Sequence, residues 1–73
     1  MYTEKIQLLE NEILELKKAI KASKKEIKKR EKILSMVVDE EVETEIDMYK
    51  EEIESFENQL KTKKELIKNY KKL

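Results

Sequence analysis

The stretch KKREKILSMVVDEEVETEI, Lys28 to Ile46, straddles the middle of the chain and reverses its charge there. Basic residues crowd its left side and acidic residues its right, with Met36-Val37-Val38 uncharged between them. Asp39 is suited to cap a helix start, because its short carboxylate can accept from the free N–H groups of a first turn. Glu40, Glu41 and Glu43 follow it, where acids complement the positive end of the helix dipole. The lysines before Leu34 suit a helix C-terminus by the same argument. The stretch reads as the end of one helix, a turn and the start of another.

Apolar residues on both sides recur in alternating steps of three and four, the mark of a coiled-coil seam. In the first half Ile6, Ile13, Ile20, Ile27 and Leu34 fall at heptad position a, and Tyr2, Leu9, Leu16, Ser23, Arg30 and Val37 at d. In the second, Ile46, Ile53, Leu60 and Ile67 fall at a, with Val42, Tyr49, Phe56, Lys63 and Tyr70 at d. Leu34 and Ile46 are twelve residues apart, so the halves are out of phase. The pattern predicts helix 1 over about 3–36, a turn over 37–40 and helix 2 over 41–72.

Folding the chain back at Val38 pairs residues whose numbers sum to 76. Leu34 then meets Val42, Ile27 Tyr49, Ile20 Phe56, Leu16 Leu60, Leu9 Ile67, and Ile6 Tyr70. Three layers are mixed: Arg30 with Ile46, Ser23 with Ile53, and Ile13 with Lys63. Residues 1–16, 17–34, 35–57 and 58–73 carry net charges of −3, +7, −9 and +5. The same register lays +7 along −9 and −3 along +5. Hydrophobic phase and charge agree on one alignment, and that agreement specifies a fold. Burial leads, since each buried Ile, Leu or Phe is worth roughly 1.5–3 kcal/mol, against about 0–1 kcal/mol for an exposed ion pair. The expected fold class is all-α, an antiparallel two-helix coiled-coil hairpin of one domain, dimerising into a four-helix bundle. The same contacts are available to two long continuous helices paired between chains.

Composition supports this. Charged residues make up 47% of the 73, with 17 basic and 17 acidic, and glycine and proline are absent, as in long helices. Without cysteine or histidine, thiolate chemistry, the commonest metal ligand and the commonest general base are missing. No catalytic, cofactor-binding or metal site is therefore expected, and the acids beginning helix 2 are read as dipole partners. The longest apolar run is Met36–Val38, too short for a signal-peptide core or a membrane span, which points to a cytoplasmic protein.

The flanks of the seam differ. Positions c and g include Leu8, Ala19, Ala22, Ile33, Met36, Met48, Ser55, Gln59, Thr62, Leu66 and Leu73. Positions b and e hold Lys17, Lys21, Lys24, Lys28, Asp47, Glu54, Lys61, Lys64 and Lys68, with Leu14 as the main apolar member. Leu8, Ala19, Ala22, Ile33, Met36, Met48, Leu66 and Leu73 form the candidate interaction face, for a second copy or a partner helix. The self-pairing, two-helix plan is similar in outline to Rop-type four-helix bundles, a likeness of architecture that carries over no residue. By elimination the expected role is a small non-enzymatic protein-binding regulator, an inhibitor or adaptor of phage or plasmid type. Two alternatives are a segment of a larger coiled-coil assembly and a nucleic-acid-binding bundle. The latter would use KKAIKASKKEIKKREK, Lys17–Lys32, whose nine positive charges could contact phosphates but lack interleaved aromatics.

Overall fold

A computed structural model, describing residues 2–73, shows two α-helices packed against each other as a hairpin. α1 spans Thr3–Leu34 and α2 spans Glu40–Lys72. The rod measures 56 by 14 by 13 Å.

Asp39 starts α2 from extended backbone, its Oδ1 accepting from the Glu41 N–H at 3.0 Å and the Val42 N–H at 3.4 Å. Glu40, Glu41 and Glu43 occupy the first turn of α2, Lys71 and Lys72 its last. α1 closes two residues earlier than the periodicity suggests. The N–H groups of Met36 and Val37 both turn back onto the Ile33 carbonyl, at 3.0 and 3.1 Å, and Ser35 Oγ donates to the Lys32 carbonyl at 2.6 Å. This tightened end satisfies carbonyls that a straight helix would leave free. Val37, assigned to a seam position by its spacing, consequently lies in the turn and is exposed.

The seam is thin. Ile13, Ile46, Ile53 and Ser23 are buried. Ile6, Leu9, Leu16, Ile20, Ile27, Leu34, Val42, Tyr49, Phe56, Leu60, Ile67 and Tyr70 are half-buried. Among the described residues no large side chain is fully enclosed. All four buried residues belong to the three mixed layers, which look weakest on paper. In two of them the isoleucine's expected partner is a half-buried cation, Arg30 or Lys63, whose charge reaches a carboxylate on the other helix. Ser23 and Ile53, expected to share the third, are both buried. At the open end Tyr2 stacks on Tyr70, ring centres 5.2 Å apart, with the Lys5 ammonium 5.9 Å from the Tyr70 ring centre.

Candidate interaction surface

Among the described residues, both ion pairs between the helices start from a cation in the seam and end on a carboxylate of the c/g flank. Arg30, at d, donates through Nε to Glu45 on α2 and through Nη1 to Glu26 one turn back on α1. Its guanidinium carbon sits 4.8 Å from the centre of the Tyr49 ring. Lys63, at d of α2, donates to Glu12 on α1 at 2.7 Å. Each interhelical pair joins residues summing to 75, within one of the expected register. Hydrogen bonds from Arg30, reinforced by the charge of Lys29, hold the Glu26 carboxyl below its ordinary range, and the two carboxylates hold the Arg30 guanidinium protonated above its own.

The chain's only arginine stands where one side chain meets two carboxylates and a ring face. A guanidinium offers a planar fork that can donate to separate acceptors and lie flat on an aromatic; an ammonium is a point charge. This clasp and its lysine counterpart were missed from sequence, where Arg30 and Lys63 read as interruptions. The signal was there: a lone arginine among lysines, at d, with Glu26 four residues before it.

The clasps also change the picture of the c/g flank, which is less apolar than its Leu, Ala and Met residues imply. Glu12, Glu26 and Glu45 lie on it, half-buried, and break it into segments. Ala19 is half-covered between them, and Ala22 is exposed. The larger apolar members point to solvent: Leu8 is 59% exposed, Met48 64%, Met36 75% and Leu73 83%, with Ile33 and Leu66 less so. They gather at the rod's two ends, Leu8, Leu66 and Leu73 at the free end and Ile33, Met36 and Met48 at the turn. A shallow open groove lined by Glu45, Met48, Tyr49 and Glu52 lies beside the Arg30 clasp.

On the b/e flank Lys17, Lys21, Lys24, Lys28, Lys61, Lys64 and Lys68 are exposed. Leu14 is exposed among them. Among the described residues no three Asp or Glu converge as a metal site would require, and no helix is long and apolar enough to cross a membrane. No family model, curated protein or solved structure matches the chain.

Proposed function

We propose that this hairpin is a non-enzymatic protein-binding module of inhibitor or adaptor type, which pairs with a second copy through its c/g flank to form a four-helix bundle. The observation that carries the reading is exposed apolar surface beside a core that, among the described residues, encloses no large side chain. Two-helix hairpins bury one seam and gain stability by covering a second face. Sedimentation equilibrium at tens of micromolar tests it: a dimer mass supports self-association, and a monomer defeats it. Met48→Asp and Leu66→Asp, both at exposed sites, are expected to weaken the dimer tenfold or more while leaving helix content unchanged.

A second reading is favoured by one observation. Among the described residues, only Lys18, Lys29 and Arg30 of the basic Lys17–Lys32 stretch are held in ion pairs. The remaining lysines are free to meet phosphates, although the acidic zone runs alongside. A mobility-shift titration at low salt decides, because phosphate contacts are strongest there. No shift at micromolar protein rules nucleic acid out.

A further inference from the structure

The tip of the hairpin carries its apolar residues in the open. Met36 is 75% exposed, Val37 53% and Val38 92%. Turns at helix–helix corners usually carry glycine or polar residues, since a tip gains nothing from exposed aliphatics. Here the chain has no glycine or proline, and among the described residues none has positive φ. Nothing in the turn needs a backbone that helix-forming residues cannot leave. Ser35 is already helical (φ −69°, ψ −17°), while Asp39 is extended (φ −144°, ψ 109°).

The spacing of apolar and seam residues across the tip is informative. Ile27, Arg30, Leu34, Val38, Val42, Ile46 and Tyr49 follow one another in steps of 3, 4, 4, 4, 4 and 3. That is two successive eleven-residue repeats. Such repeats correspond to 3.67 residues per turn, so a straight helix keeps them on one face. The phase break between the two heptad halves is therefore one that an uninterrupted helix can absorb, carrying one seam through residues 35–39. Val38 lies at the centre of this pattern, and the register sum of 76 is symmetric about it.

We propose that the tip is a point of chain exchange: residues 35–39 straighten into helix, α2 leaves its own α1, and it pairs with α1 of a second copy. Every seam contact and both clasps are then remade between chains in the same register. Val38 meets its counterpart from the second copy in a new central layer, flanked by Leu34–Val42 layers on each side. The second copy is the occupant because only an identical chain supplies both the register and the matching charge zones. The state costs the Asp39 cap and the entropy of association, so concentration governs it. This inference is independent of pairing between intact hairpins through the c/g flank.

The absence of cysteine makes labelling direct. An Asn11→Cys/Glu65→Cys protein, doubly spin-labelled and mixed with a roughly twenty-fold excess of unlabelled chain, is unfolded in denaturant and refolded at about 1 mM. Monomer and dimer are then separated by gel filtration. Exchange predicts that the monomer keeps a short distance between the two labels of one chain, and that in the dimer it lengthens to about 80 Å at ~1.5 Å per residue. Asp39→Ala, which removes the cap, raises the exchanged fraction severalfold, and Val38→Pro lowers it at least tenfold, because proline cannot sit inside a helix. A dimer whose labelled chains keep the short distance overturns exchange while supporting pairing of intact hairpins. Absence of any dimer after refolding at 1 mM overturns it too.

Discussion

Arg30 on α1 donates across the seam to Glu45 on α2, and that one bond ties register to charge. A shift by one helical turn would carry Glu45 away from the guanidinium and Tyr49 from beneath it. Ile46, next in sequence to Glu45, is the least exposed isoleucine.

Arg30→Lys tests whether fork geometry matters beyond charge. It is expected to lower the melting temperature by several degrees, since an ammonium cannot serve Glu26, Glu45 and the Tyr49 face together. Thermal denaturation followed by circular dichroism measures it. An unchanged melting temperature would mean that charge alone suffices.

Burial makes a sharper contrast. Ile46→Ala and Ile53→Ala should each cost about 2–5 kcal/mol, the range for truncating a core aliphatic. Leu14→Ala, at a site 53% exposed, should change stability by less than about 0.5 kcal/mol. Urea melts of the three variants give the comparison; equal losses would contradict the seam.

Ser23 is buried at 6% exposure, and the register expected from the sequence sets it opposite Ile53. Ser23→Ala is expected to stabilise by about 0.5 kcal/mol through helix propensity alone. Ser23→Leu should stabilise further, because the seam is open at its sides and the helices can part to admit the side chain. If the leucine variant melts below the alanine variant, a small residue at this layer sets the approach of the helices.

Asp39→Ala removes the side-chain acceptor for the Glu41 and Val42 N–H groups. The expected loss is about 1 kcal/mol, or roughly 4–8 °C in a domain of this size. Asp39→Asn, which keeps an acceptor, should recover most of it.

Glu26 predicts the acid limb of stability. Its carboxyl is held below the usual value of 4.5, chiefly by the hydrogen bond from Arg30 and then by the charge of Lys29. A depressed folded-state pKa stabilises the fold above the unfolded value, and the gain is lost as pH falls through the folded one. Stability should therefore drop below about pH 4.5. In Glu26→Gln that drop should be shallower, starting from a lower plateau at neutral pH. Urea midpoints between pH 2 and 7 measure both.

The hairpin could be read from the sequence because three signals coincided: branched aliphatics at a, the charge reversal at the turn, and Asp39 ahead of three glutamates. The two interhelical ion pairs fall within one residue of the expected register, while Tyr70, expected beside Ile6, stacks on Tyr2. The end of α1 was legible only to within two residues, since nothing in Ser35-Met36-Val37 announces that their hydrogen bonds turn back on Ile33 and Lys32. The clasps were obscured because heptad bookkeeping scores a cation at d as a defect. Such a score ignores the methylenes of Arg30 and Lys63 and the acids one position before a seam residue. For the same reason the c/g flank looked more uniformly mild than Glu12, Glu26 and Glu45 make it.

The most direct measurement is the separation of labels at Asn11→Cys and Glu65→Cys, taken dilute enough that single chains dominate. The hairpin predicts one population below about 35 Å, given helix axes about 10 Å apart and labels on the outer faces. A distribution centred near 80 Å, the span of an unfolded-back helix at ~1.5 Å per residue, would contradict it.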